Sequence, residues 1–382
     1  MVTAQRKIPI AAPLTGQEEW EALKEPVFSG WLTQGPKVAE FERLFAERHG
    51  VKHAIAVSNC TAALHLALLA IGVREGDEVI VPAFTWVATA NSVLYCNATL
   101  VFADIDISTF NINPDEIAKK ITKKTKAIIP VHLFGLCADI EAIKKIAPGI
   151  PIVEDGACAA GAALNNKPAG SLGDIGCFSF HPRKSITTGE GGMITTNNDK
   201  YADTINKLRN HGASISEESR HHGPKPYILP AFDMVGYNYR MTDLQGAVGI
   251  VQLKKLDRFI EERQKFAEIY TGELPSVPWL SVPSVPSGYR HGWQSYVCMV
   301  DETKSPKSRN EIMEFLEQKG ISTRPGTHAV HMLGYYAGKY KLKPLDFPNS
   351  FKANEYSIAL PLHNNMVHED FKHVAQSLIK LV

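Results

Sequence analysis

The stretch Gly173-Asp174-Ile175-Gly176-Cys177-Phe178-Ser179-Phe180-His181-Pro182-Arg183-Lys184, continued by Ser185-Ile186-Thr187-Thr188-Gly189-Glu190-Gly191-Gly192, decides how the rest of the chain is read. Its short apolar run ends in a hydroxyl, Ser179, and reads as a buried strand. A loop then presents one lysine, Lys184, just before a glycine-rich reversal, and Gly192–Thr196 reads as the next strand. A lysine so placed can form a Schiff base with a carbonyl if its surroundings favour the neutral amine. A solvated loop lysine has the same local sequence.

Outward from this loop, Val153-Glu154-Asp155-Gly156-Ala157 is an apolar strand ending in two carboxylates. An acid at the carboxyl end of a buried strand points into the crevice where α/β proteins bind ligands. Asp155 there suits a protonated heterocycle, and it equally suits a helix N-cap. Ser58-Asn59-Cys60-Thr61-Ala62-Ala63-Leu64 is a polar turn before an Ala/Leu-rich helix. Amides and hydroxyls at such a helix start fit a phosphate, although ordinary caps look alike. Phe84-Thr85-Trp86 follows another strand end, and Trp86 offers either a flat face for a planar ring or core filling.

These elements sit in a repeating frame. Strands are expected at His53–Val57, Glu78–Val81, Thr99–Asp104, Ala127–His132, Ile152–Glu154, Gly176–Phe180 and Gly192–Thr196. Helix-like stretches at Thr61–Ile71, Thr85–Tyr95, Pro114–Lys120 and Ile140–Ala147 separate several of them, which implies crossovers and a largely parallel sheet in an α/β fold. Met241–Arg263 reads as a long helix, and the proline-rich Leu274–Gly288 as a connection into a second unit. That unit carries a Val297–Val300 strand, a Ser308–Lys319 helix and a final amphipathic Glu369–Leu381 helix. The division is therefore a large domain over 1–255, with an N-terminal segment, and a smaller α+β domain over 256–382. Ile215–Ala231, with two histidines and three prolines, reads as a long surface loop.

Composition excludes several function classes. The 382 residues are 44% hydrophobic and 21% charged, ordinary globular usage. A formal net charge of +1 provides no global field for nucleic acid or an anionic membrane. The six cysteines, Cys60, Cys96, Cys137, Cys158, Cys177 and Cys298, have neither zinc-module nor disulfide-framework spacing. With no signal-peptide pattern at the N-terminus, the expectation is a cytoplasmic protein with reduced thiols. Val79–Ala103 carries no charge, but its Pro, Thr, Asn and Ser residues fit strand, helix and strand inside a core better than a membrane span. The Lys119–Lys126 run reads as a solvated helix end.

A phosphate turn, an aromatic platform, a strand-end aspartate and a strand-end serine followed by a lysine occur in the order found in pyridoxal-phosphate enzymes of the aspartate-aminotransferase-like fold, fold type I. The sequence resembles the sugar aminotransferases of the DegT/DnrJ/EryC1/StrS family from Leu32-Thr33-Gln34-Gly35-Pro36 to near the C-terminus. TQGPKVAEFERLFAE, SNCTAALHLAL, GDEVIVPAFTWVATANSV, VHLFG, VEDGACAAGA, GDIGCFSFHPRKSITTGEGGM and GYNYRMTDLQGAVG carry the likeness. The resemblance implies that pyridoxal 5′-phosphate, cycling through its pyridoxamine form, is the cofactor. It makes Lys184 the covalent anchor and proton shuttle, Asp155 the partner of the pyridinium nitrogen, and Trp86 the stacking ring. Cys60, Thr61 and Ser179 would hold the phosphate, and Asn238 would reach the phosphate of the neighbouring subunit in a homodimer with shared sites. Many members carry glutamine where this chain has Cys158, three residues after the aspartate. Members that dehydrate sugars resemble this chain but carry histidine at the lysine position, so Lys184 favours amino transfer.

By the same resemblance the donor is L-glutamate and the acceptor a nucleotide-linked keto sugar. Lys184–Met193 looks more like members acting at the 4-keto than at the 3-keto carbon, and Ile321-Ser322-Thr323-Arg324-Pro325 resembles GDP-perosamine synthases. The product would then serve a surface glycan such as O-antigen lipopolysaccharide. The alternatives are dTDP-4-keto-6-deoxyglucose, a UDP-linked 4-keto amino sugar, or a non-catalytic protein that binds cofactor and nucleotide sugar. Arg240 and Arg324 are candidates for the diphosphate, because guanidinium forks match phosphate oxygens. His328 and His331 are expected near the sugar or nucleotide rather than, with His363, on a metal.

Overall fold

A computed structural model describes residues 7–214, 227 and 229–381. The loop expected at Ile215–Ala231 lies largely outside them, although its ends meet where the Ser214 N–H donates to the Ala231 carbonyl at 2.9 Å.

The large domain is built on a sheet buried on both sides. Strand period 2 sends Ala54, Ala56, Phe178 and Met193 into one apolar cluster, with Phe41 and Phe45 of helix Pro36–His49. The alternating Ile55, Val57, Cys177 and Ile194 enter a second cluster with helix Cys60–Ile71. One four-stranded part runs in the order His53–Val57, Gly192–Thr196, Ile175–Ser179, Val153–Asp155. Parallel bridges Ile128↔Ile152 and Val131↔Asp155 continue it into a three-stranded parallel part of Thr125–Ile128, Glu78–Pro82 and Thr99–Ala103. The sheet is mixed: Gly192–Thr196 runs antiparallel to both neighbours. The connection from Ser179 to Gly192 contains no helix, and only an antiparallel return can be made without a crossover.

The uncharged Val79–Ala103 stretch folds within this core as strand, short strand, helix Val87–Tyr95 and strand. The helix starts two residues later than the sequence pattern predicts, because Phe84–Thr85 pairs as a strand with His328–Ala329. Among the described residues no helix is long and apolar enough to cross a membrane, and all six cysteines are free thiols.

Helix Asp243–Glu273 is longer than its sequence pattern and serves two cores. Leu256, Phe259 and Ile260 pack in the cluster of Phe41, Phe45 and Phe178. Ala267 and Tyr270 pack beneath the antiparallel sheet of Leu280–Ser281, Tyr296–Val300 and Ser357–Leu360, whose cluster also holds Phe371 of helix His368–Ile379. At its start, Asp243 accepts the amides of Gly35, Lys37 and Val38, and so caps helix Pro36–His49 where Gly35 has no side chain to do so.

His49 closes that helix against the core. Its ring stacks on Phe45 at 4.0 Å, Nδ1–H donates to the Phe45 carbonyl at 2.9 Å, and Nε2 is buried without a partner. Burial pushes its pKa down to about 4. The unfolded chain binds a proton near pH 6.5 that the folded protein refuses until about pH 4. Stability is therefore expected to fall as pH drops through that window. Urea unfolding at pH 7 and pH 5 should show a smaller loss for His49→Phe than for the parent chain.

Candidate active site

A cavity of about 550 Å³ opens at the carboxyl ends of the central strands. The adjacent carboxylates Glu154 and Asp155 divide there. Glu154 is completely buried on the far side of its strand and accepts from His132 Nε2–H at 2.7 Å, Gly170 N–H at 2.7 Å and Gly173 N–H at 2.5 Å. His132 Nδ1 accepts the Ala138 amide, which fixes the proton on Nε2. Asp155 lines the cavity, accepting Thr89 Oγ1–H at 2.8 Å and, as in a capping turn, Ala157 N–H at 3.2 Å. Burial raises its pKa above the usual carboxylate range, opposed by those two hydrogen bonds and by the charge of Lys184. A buried carboxylate with acceptor capacity left is suited to a cationic N–H.

Across the cavity lies the start of helix Cys60–Ile71. Asn59 Oδ1 takes the Ala62 amide and the Asn59 carbonyl takes that of Ala63. The first-turn amides of Cys60 and Thr61 have no intrahelical acceptor and stand at the cavity. Burial raises the Cys60 thiol well above its ordinary pKa, so it contributes no charge. The turn comes this close because residue 192 is glycine: a Cβ there would lie 2.5 Å from the Asn59 carbonyl carbon and 2.8 Å from the Cys60 nitrogen. Ser179, paired with Gly192 across the strands, brings its hydroxyl to the same wall.

Lys184 reaches the cavity from the loop after Ser179, and its Nζ donates to Cys158 Sγ at 3.2 Å. Trp86 precedes helix Val87–Tyr95 at the mouth, 55% exposed, with its ring 5.5 Å from that of His328. Arg324 enters from the C-terminal domain. Among the described residues its Nε is buried without a partner, and burial together with the charge of Arg183 lowers its pKa. Arg183 and Arg324 line one cavity together with Glu190, and guanidinium forks match the oxygens of an anion.

The structure thus brings together Cys60, Thr61, Trp86, Asp155, Ser179, Lys184, Arg324 and His328. It leaves three sequence candidates outside this lining. Asn238 is exposed on a bridge to Asn210, and Arg240 Nη1 donates to Asn210 Oδ1 at 2.6 Å. His331 is fully buried with its Nε2 3.0 Å from the Pro344 carbonyl, because the chain leaves strand His328–Ala329 for a 3₁₀ turn at Val330 and swings the ring inward. His363 sits elsewhere, its Nε2 3.1 Å from the Pro9 carbonyl. The sequence reading gave no role to Phe134, Arg183 or Gln294, all of which line the cavity. Arg183 lies within the quoted lysine loop and Phe134 within VHLFG, while Gln294 carries no local signal.

A lysine amine, a buried carboxylate, a helix-start anion site and an aromatic face around one cavity at a sheet's carboxyl edge define a pyridoxal-phosphate enzyme of fold type I. The comparisons with known proteins agree. Residues 13–379 match the DegT/DnrJ/EryC1/StrS aminotransferase family. The spore coat polysaccharide biosynthesis protein SpsC of Bacillus subtilis is 39% identical over 378 residues, 98% of this chain and 97% of that one. Among solved structures, Spr1654 of Streptococcus pneumoniae in its PLP form superposes with a TM-score of 0.91 at 27% identity, covering 98% of each chain; its PMP form gives 0.90. Helicobacter pylori PseC, an aminotransferase involved in pseudoaminic acid biosynthesis, gives 0.90 at 27% identity, covering 98% of this chain and 99% of that one. The chain belongs to the DegT/DnrJ/EryC1/StrS aminotransferase family and is a pyridoxal-phosphate-dependent sugar aminotransferase.

Gly192→Ala would push the Asn59–Cys60 turn out of place. Its affinity for pyridoxal phosphate in equilibrium dialysis is expected to fall about tenfold or more, the equivalent of about one charge-assisted hydrogen bond.

Proposed function

We propose that this enzyme moves an amino group from L-glutamate to the 4-keto carbon of a nucleotide-linked 4-keto-6-deoxyhexose, with GDP-4-keto-6-deoxy-D-mannose, and so GDP-perosamine, as first choice. The observation that carries amino transfer is the presence of Lys184 Nζ in one cavity with Asp155 and the Cys60–Thr61 helix start. Pyridoxal phosphate supplies an electron sink for a carbanion next to an imine. Asp155 holds the proton on the ring nitrogen by favouring its charged form. Lys184 acts twice, as covalent anchor and as the base that moves a proton at the amino-bearing carbon. The Cys60 and Thr61 amides and the Ser179 hydroxyl hold the phosphate, and Trp86 covers the ring.

For the acceptor, support comes from the likeness of Ile321–Pro325 and Lys184–Met193 to 4-keto-sugar members, and from Arg324, whose buried Nε has no partner among the described residues and which lines the cavity with His328. Arg240 and His331 lie outside the cavity lining and are assigned no substrate contact. A second reading keeps the same chemistry on a UDP-linked 4-keto amino sugar or on dTDP-4-keto-6-deoxyglucose; the likeness to PseC, an aminotransferase involved in pseudoaminic acid biosynthesis, supports an amino-sugar pathway. Asn238 would complete the partner's phosphate site in a cytoplasmic homodimer. Its exposure, and that of Phe232 (62%) and Val235 (87%) just before it, supports that assembly. The likeness to SpsC supports a surface-polysaccharide pathway, of which O-antigen lipopolysaccharide is one case.

Conversion of the holoenzyme to its pyridoxamine form with L-glutamate, followed by GDP-4-keto-6-deoxymannose, tests this. Return of the visible cofactor absorbance, with a 4-amino sugar nucleotide by mass, is the expected result. A response to glutamate with none to this sugar refutes the GDP assignment and moves the assay to the dTDP and UDP substrates; no response to any of them indicates a binding protein. Lys184→Ala is expected to lower turnover about a thousandfold or more, the range of a lost general base and covalent anchor, and retained turnover would overturn the assignment.

A further inference from the structure

The junction between the two domains beside the lysine loop contains two bulky residues in the left-handed backbone region. Phe134 has φ 59° and ψ 3°, and Trp293 has φ 44°. Side chains of this size rarely adopt that region, and they persist there only where the surroundings hold them. The two segments hold each other. Gly292 N–H donates to the Gly135 carbonyl at 2.7 Å, and Gln294 N–H to the Phe134 carbonyl at 3.0 Å. Gly135 has φ 104°, and a Cβ there would stand 2.9 Å from the Trp293 nitrogen. From the other side, the buried Arg263 donates to the Trp293 carbonyl at 2.9 Å.

This frame aims one side chain. Gln294 is 6% exposed, lines the cavity, and its Nε2–H donates to the carbonyl of Arg183 at 2.9 Å, while Ser295 Oγ–H holds its Oε1 at 3.1 Å. The Arg183 carbonyl belongs to the peptide bond that leads into Lys184. The lysine loop's other ties come from within the large domain: Lys184 N–H to the His181 carbonyl, Arg183 N–H to His181 Nδ1, and Lys184 Nζ to Cys158. We propose that Gln294 is a positioning residue for Lys184, a hydrogen-bonded clamp from the C-terminal part of the chain that fixes the lysine's peptide relative to Asp155. This inference rests on the reading of Lys184 as the cofactor's anchor.

The test compares Gln294→Met, which keeps the length and loses the donor, and Gln294→Ala with Asn364→Ala, all in the full chain. Asn364 ties Arg263 Nε and the Phe259 carbonyl at the same junction without touching the lysine loop. Mixing each apoprotein with pyridoxal phosphate and following the absorbance of the lysine-bound cofactor gives a capture rate. Both Gln294 variants are expected to capture about tenfold more slowly and to lose kcat about tenfold with KM for the amino donor unchanged, a fraction of what a 1 Å misplacement of a reacting group can cost. Their thermal midpoints as apoproteins should match the parent's. Asn364→Ala should lower the midpoint and leave the capture rate alone. Capture by Gln294→Met at the parental rate, or slowing in Asn364→Ala equal to that in the Gln294 variants, overturns the proposal. Failure of the parent protein to capture the cofactor would instead sink the reading of Lys184, and this inference with it.

Discussion

Two carboxylates follow one another at the end of a buried strand, and ionised groups in such a place must each find partners. The pleat separates them. Glu154 is turned to the side where His132, Gly170 and Gly173 use its acceptor sites, and it thereby ties the strand to the turn before Ile175–Ser179. Asp155, one residue on, faces the cavity, its carboxylate accepting from Thr89 and Ala157 among the described residues. A one-residue slip would exchange their roles and destroy the site. The first acid secures the strand that positions the second, whose raised pKa a bound cation would relieve.

The rest of the cavity is assembled by close backbone approach. The helix-start amides can face Asp155 because Gly192 lets the Asn59–Cys60 turn lie on the sheet, and strand Ile175–Ser179 packs at the same depth because Gly176 meets Gly170 with no room for a Cβ. The helix dipole and free amides at Cys60 then supply positive potential without a charged side chain. Arg183 and Arg324 add formal positive charge to the same lining.

Much of this was legible in the sequence because it depends on local rules. Strands ending near Asp155 and Ser179, the polar turn before the Ala/Leu-rich helix and the loop lysine each follow from a change of periodicity or from turn chemistry within a few residues. What failed to show depends on distant partners. Thr85 and Trp86 read as the start of a helix, but Phe84–Thr85 pairs as a strand with His328–Ala329, far along the chain. His328 and His331 look like one pair by spacing, yet the backbone turns between them and only His328 reaches the cavity. Phe134 and Gln294 are ordinary residues in ordinary strings; their positions come from two strained segments meeting at the domain junction, which no local pattern encodes.

The whole site turns on Lys184 as the proposed anchor of the cofactor. Borohydride reduction of the protein reconstituted with pyridoxal phosphate, followed by peptide mass mapping, tests it most directly. The account predicts a single phosphopyridoxyl-lysine, at Lys184 in the peptide after Ser179. A modification on any other lysine, or none at Lys184, would contradict it.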